Sequence, residues 1–108
     1  MPTEGTEKTL QVLGLCAKAR RLVVGTPMIC ESLRGKQKPH LVLCADNNAQ
    51  NTEKKLSDKC AFYGVRLVRL AVAGETLAAA IGRQSHVAAV AVTDENLCRL
   101  VEKTLDTE

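Results

Sequence analysis

The sequence predicts an α/β fold, a three-layer α/β/α sandwich, and three observations lead to it. Short apolar runs that read as strands alternate with longer stretches of helical periodicity, beginning and ending on a helix. Two of the strand-like runs, residues 40–45 and 87–92, are almost continuously apolar, as strands buried on both faces are. The connections are short turns rich in Gly, Pro, Asn and Asp, with no repeat, low-complexity tract or linker. The 108 residues therefore read as one domain, with a core over about 6–105 and ends expected to fray. A largely parallel or mixed sheet covered on both sides follows from the alternation.

Each element has a local reason. The first helix is predicted over residues 6–21, where Leu10, Leu13, Cys16 and Ala17 recur at helical spacing and Arg20 or Arg21 ends the last turn, complementing the helix dipole. Residues 22–24 make a short apolar strand closed by Gly25. Thr26 then reads as an N-cap with Pro27 in the first helical position, opening a short helix over 28–34 that stops at Gly35. A basic loop, 36–39, leads into strand 40–45, which breaks at the turn-favouring side chains of Asp46, Asn47 and Asn48. Asn51 stands where the cap of a third helix would stand; that helix runs over about 52–63, with Leu56, Cys60 and Tyr63 on one face and Gly64 as its stop. In residues 65–70, Arg66 and Arg69 interrupt an apolar run, as in a strand with one wetter face. A small-residue helix over 74–81 closes at Gly82, the last buried strand follows, and Asp94 caps a final helix to about residue 105.

Composition excludes several function classes. No apolar run approaches the roughly 18 residues that cross a bilayer, and the N-terminal MPTEGTEKTL lacks the basic and apolar regions of a signal peptide. The expected location is the cytoplasm, with no membrane partner. Five cysteines, Cys16, Cys30, Cys44, Cys60 and Cys98, are odd in number, widely spaced and set in apolar patterns, which reads as reduced core residues. With no CxxC and only His40 and His86, no metal site is expected, and no cofactor is implied: there is neither a GxGxxG nor a P-loop. Asp46 and Asp94 are the candidate carboxylates of an enzyme reading, but no paired acid/base motif accompanies them, so no enzymatic activity is expected.

The net charge of +3 is unevenly placed. Between residues 18 and 59 nine basic side chains face four acidic ones, whereas from residue 60 onward five face six. Lys54, Lys55 and Lys59 stud the helix that follows the turn at Asp46, Asn47 and Asn48. An exposed helix N-terminus beside lysines suits phosphate, which makes RNA the first expectation. Phe62 and Tyr63 are the chain's aromatics and adjoin the hydrophobic face of a helix, so no base-stacking platform of the RRM or OB kind is expected.

The segments AKARRLVVG, LVLCAD, NTEKKLSDKC, ETLAAAIGR and VAVTD, in this order and spacing, resemble the YlxQ-like bacterial branch of the kink-turn-binding ribosomal protein superfamily. The resemblance covers roughly residues 10–105, with NTEKKLSDKC its most specific part. It implies an α/β/α sandwich with a mixed four-stranded sheet, and as partner a structured RNA with a kink-turn or similar sharp bend, ribosomal RNA among the candidates; DNA is not expected. The RNA-facing parts it implies are the start of the second helix (Gly25, Thr26, Pro27 and Met28), the turn after the central strand (Asp46, Asn47 and Asn48), and the loop before the last strand (Gly82, Arg83 and His86). Arg34, Lys36 and Lys38 are expected to flank the same end and neutralise phosphates, with Lys54 and Lys55 nearby. Kink-turn readers carry Asn and Glu after the residue that follows the glycine, and Lys one turn later; here those places hold Pro27, Met28 and Glu31. Proline has no N–H to donate, methionine accepts no base-edge hydrogen bond, and glutamate opposes phosphate. RNA binding led by phosphate contacts, with weakened or altered kink-turn selectivity, is the resulting expectation. The alternative is a ribosome-associated protein-interaction module that kept the fold without base readout, using the small-residue helix around residues 77–80 as a packing face. The oligomeric state is left open.

Overall fold

In the computed structural model, which describes residues 4–105, nine elements follow one another: α1 (Glu4–Lys18), β1 (Leu22–Val24), α2 (Thr26–Arg34), β2 (Leu41–Cys44), α3 (Gln50–Tyr63), β3 (Arg66–Arg69), α4 (Gly74–Ala80), β4 (Ala89–Val92) and α5 (Glu95–Leu105). The chain ends expected to fray, 1–3 and 106–108, lie outside the described residues. The four strands form one mixed sheet in the order β1-β4-β2-β3. β4 is antiparallel to both β1 and β2, and β3 is parallel to β2. β1, β2 and β3 therefore all point one way, and β4 returns between them.

Strand periodicity divides the core into two layers. Along the central strands, Leu41, Leu43, Val90 and Val92 face a cluster that includes Leu13, Cys16, Leu77 and Val101 from α1, α4 and α5. The alternate residues Val42, Cys44, Ala89 and Ala91 face Ile29 and Leu33 of α2 and Leu56 and Cys60 of α3. Both central strands are buried along their whole length, which is why they read as continuous apolar runs. All five cysteines are free and buried. Burial, first, pushes the Cys60 thiol up from an ordinary 9.0 to about 11, with Cys30 and Cys44 contributing next. Burial likewise raises Cys98 to about 11, followed by the Glu102 carboxylate.

Local expectations are corrected in several places. β3 does not have one wetter face. Its register sets Arg66 beside Leu41 and Arg69 beside Cys44, so the arginines lie on opposite faces of an edge strand. Arg66 pairs with Glu102 of α5 at 3.1 Å and Arg69 with Glu53 of α3 at 3.1 Å. Charging an unpaired edge on both sides blunts it against strand addition. Gly25, at φ +94°, takes the N-cap position of α2, so Thr26 becomes the first helical residue and Pro27 the second. α3 begins at Gln50 after Ala49, and Asn51 lies inside the helix rather than capping it. Phe62 does not adjoin the core: it is 80% exposed, its ring set edge-on to Tyr63 with centroids 4.9 Å apart. The small-residue helix is partly used up internally, since Leu77 and Ala78 are buried and a Cβ on Gly14 of α1 would come within 2.9 Å of the Ala80 carbonyl. Among the described residues no helix is long and apolar enough to cross a membrane.

Candidate nucleic-acid interface

Because β1, β2 and β3 run the same way, the helices that follow them all begin at one edge of the sheet, where β4 also starts. Such an edge, at the C-termini of parallel strands, is where open α/β sheets place ligands. Three loops meet there, and backbone hydrogen bonds to the start of β4 fix them. The Gly25 N–H donates to the Ala89 carbonyl at 3.0 Å, and the Ala45 N–H to the Ala88 carbonyl at 2.9 Å. Asn48 Nδ2 donates to the same Ala88 carbonyl at 2.9 Å and to Ala45 at 3.3 Å. The start of α2, the turn after β2 and the end of the loop before β4 are thus one surface, which brings together Gly25, Thr26, Pro27, Met28, Asp46, Asn47, Asn48 and His86. Gly82 and Arg83, expected with them, stand instead at the far end of α4, where Gly82 lies beside Gly14, Leu15, Ala17 and Lys18 of α1, because the helix that starts at this edge carries its C-terminus away from it.

Within that surface the side chains divide into props and exposed groups. Asn47 Oδ1 accepts from the Gly74 N–H at 2.8 Å, and its Nδ2 donates to Glu75 at 3.2 Å. His86 lies between Glu75 Oε2 and Asn48 Oδ1, 3.3 Å from each. Glu75 is the acidic partner of His86 that spacing does not reveal, because it sits on a separate element. Its carboxyl is held below its ordinary value by its own backbone N–H, then by Asn47 and His86. Gly74 lies directly against the His86 ring, where any Cβ would collide with Cε1 and Nδ1. The Asp46 carbonyl accepts from Arg69 Nη2 at 2.9 Å. Asn47, Asn48 and His86 therefore shape the loops from within the surface.

The groups left outward are mostly backbone. Neither α2 nor α3 has a side-chain cap, so the amides of their first turns stay open to an anion. Gly25, at φ +94°, has no atom within 4 Å of where a Cβ would stand, which leaves room for close approach. The Thr26 hydroxyl is sealed inside with no hydrogen-bond partner among the described residues, while Pro27 and Met28 are exposed, Met28 at 55%. Arg83 is exposed in the turn after α4. Lys54 and Lys55 lie early on α3 and, with Asn51, Asp58 and Lys59, line a shallow depression of about 330 Å³.

Arg34, Lys36 and Lys38 are not at this edge. α2 starts there and runs nine residues, about 14 Å, toward the opposite edge, where it delivers Arg34 and the loop into β2. The expectation that these three flank Gly25 is thus corrected by the direction of the helix. Asp46 and Asp94 are separated in the same way, one after β2 and the other after the antiparallel β4, so they form no catalytic pair. Among the described residues no group of three or more His, Cys, Asp and Glu is placed to hold a metal ion.

The model of the Ribosomal protein L7Ae/L30e/S12e/Gadd45 family matches residues 7–101, and the chain belongs to that family. Among curated relatives, it is 33% identical over 95 residues to the RNA-binding protein YlxQ of Bacillus subtilis, covering 88% of this chain and 92% of that one. A second RNA-binding protein YlxQ, from Enterococcus faecium, is 30% identical over 59 residues, or 55% of this chain and 56% of the other. Among solved structures, a protein of unknown function from Bacillus halodurans superposes with a TM-score of 0.82 at 30% identity, covering 92% of this chain and 97% of that one. The Giardia lamblia 15.5kD RNA binding protein shares the fold with a TM-score of 0.78 at 17% identity, over 99% of this chain and 89% of its own.

Proposed function

We propose that this chain is a single-domain, cytoplasmic RNA-binding protein of the translation machinery, with the three-loop edge as its face for structured RNA. The observation that carries the reading is the convergence of two uncapped helix N-termini with the open backbone at Gly25 on one surface. Open amides, with the exposed Lys54 and Lys55 one turn along α3, suit a phosphate backbone. The relatives named YlxQ support RNA as the partner. Met28 and Pro27 lie exposed where kink-turn readers place their base-contacting pair, and neither presents a side-chain hydrogen-bonding group to a sheared purine pair. Phosphate contacts then lead at this edge, and selectivity for the kink is low.

Titration of a kink-turn RNA, an unkinked hairpin of equal length and ribosomal RNA fragments across a salt series tests this. Kink-turn and unkinked RNA are expected to bind within about tenfold of each other, and combined Lys54→Ala and Lys55→Ala to weaken both. Restoring the reader pattern with Pro27→Asn, Met28→Glu and Glu31→Lys together is expected to raise preference for the kink. A hundredfold preference in the native chain would overturn the low-selectivity reading. No RNA affinity at moderate salt would overturn RNA binding itself and favour the protein-interaction alternative.

A further inference from the structure

The opposite edge of the sheet carries the chain's main concentration of free cations. Thr93 N–H donates to the Arg21 carbonyl and His40 N–H to the Val92 carbonyl, at 3.0 and 2.8 Å, so the segments entering β1 and β2 flank the end of β4. Arg20 and Arg21 lead into one of them, and Arg34, Lys36 and Lys38 into the other. All five side chains are exposed, and none is held in an ion pair among the described residues. The acids around them are largely occupied: Asp94 Oδ1 accepts from the Leu97 N–H, Glu95 pairs with Arg99, and Glu102 pairs with Arg66. Glu31 and Asp58 lie further up α2 and α3. Compensation of helix dipoles does not account for five cations. The C-termini of α1, α2 and α3 and the N-terminus of α5 sum to about −1 elementary charge.

Two further observations point to a ligand. Arg20 adopts φ +60°, a left-handed conformation unfavourable to a side chain. It is the residue after the cap of α1, with Arg20 N–H donating to Ala17 and Arg21 N–H to Cys16. The ends of α3 and α4 are built with the same pair of bonds, and there the left-handed residue is Gly64 or Gly82. At the end of α1 an arginine thus stands where α3 and α4 have glycine, and it adds a positive charge at this turn. The second observation is the exposed Phe62 ring, which meets Tyr63, over which Lys38 Nζ lies 5.5 Å from the ring centroid. The aromatic surface is thus continuous with the cations.

We propose that this second edge binds a single-stranded segment of RNA, its phosphates on Arg20, Arg21, Arg34, Lys36 and Lys38 and one unpaired base stacked on Phe62. A duplex would leave the ring without a base, and an acidic peptide would need only the charges. The two edges face opposite ways, so the segment is separate from any structured RNA held at the three-loop edge. The protein would then join a folded RNA element to a single strand.

The test uses the full chain and a fluorescent single-stranded RNA of about 12 nucleotides, titrated at several salt concentrations. Combined Arg21→Gln, Lys36→Gln and Lys38→Gln is expected to weaken binding at least tenfold and to lower the salt slope by about 2, at roughly 0.7 per lost contact. Phe62→Ala is expected to weaken it about fivefold or more with the salt slope unchanged. Circular dichroism confirms the fold of both variants, whose altered side chains are all exposed. An unkinked hairpin is expected to bind these variants as it binds the native chain and not to compete with the 12-mer, whereas combined Lys54→Ala and Lys55→Ala weakens the hairpin alone. Unchanged 12-mer affinity in both variants, a blunt duplex or polyglutamate binding as tightly, or competition between hairpin and 12-mer would each overturn the second site. Loss of hairpin binding with retention of the 12-mer would overturn only the function assigned to the three-loop edge.

Discussion

Arg20 holds a left-handed backbone, and Thr26 buries a hydroxyl with no partner among the described residues. The left-handed backbone at Arg20 costs an L side chain about 1 kcal/mol that glycine avoids. Arg20→Gly is therefore expected to raise stability by about 0.5–1 kcal/mol, read as an upward shift of the thermal midpoint, while single-stranded RNA affinity falls. Thr26 buries a hydroxyl without a partner, although its backbone belongs to the three-loop edge. Thr26→Val keeps the shape and removes the stranded donor, so its stability is expected to stay level or rise by up to about 1 kcal/mol in urea denaturation. Its RNA affinity should not change, since the hydroxyl is sealed from solvent. A large loss of affinity would show that Thr26 turns outward on binding.

At the scale of elements, caps and edges account for most differences between expected and observed bounds. α5 behaves as its sequence reads: Asp94 Oδ1 holds the Leu97 N–H at 2.9 Å. Asp94→Ala is expected to cost about 1 kcal/mol, measured as a fall in thermal midpoint, because α5 packs against α1 and its N-terminus would lose its capping acceptor. α2 and α3 lack such caps. Thr26 and Asn51 have the right chemistry for capping, yet the bonds from Gly25 and Asn48 to the start of β4 begin each helix earlier. Those bonds join residues roughly 40–64 positions apart, so no local pattern records them.

The whole molecule holds its thiols in two dry layers and divides its charge between two edges. Cys60 and Cys98, at about 11, keep their protons longer in the folded chain than in the unfolded one. A raised folded value stabilises the protein below the ordinary thiol range, and that contribution is lost as pH climbs through it. Urea midpoints should therefore fall as pH rises from about 9 to about 11, and the fall should be shallower in Cys60→Ala and Cys98→Ala variants. The same native burial should keep these thiols slow toward alkylating reagents at neutral pH. A midpoint independent of pH over this range, or rapid native-state alkylation, would contradict the packing described for both layers.

From the sequence alone came the order of the elements, the two fully buried strands, the reduced cysteines, the α5 cap and the three loops of the proposed RNA face. These follow from periodicity, turn chemistry and family motifs, all carried by residues close in sequence. Tertiary structure decided which of those residues share a surface. The chain's positive excess between residues 18 and 59 reads as one patch, but β1 and β2 run parallel with α2 between them, so Arg34, Lys36 and Lys38 are carried away from Gly25 to join Arg20 and Arg21. His86 found Glu75, and Arg66 and Arg69 parted to opposite faces, for the same reason. Strand direction and register place residues distant along the chain side by side, and neither is written in the spacing of any single segment.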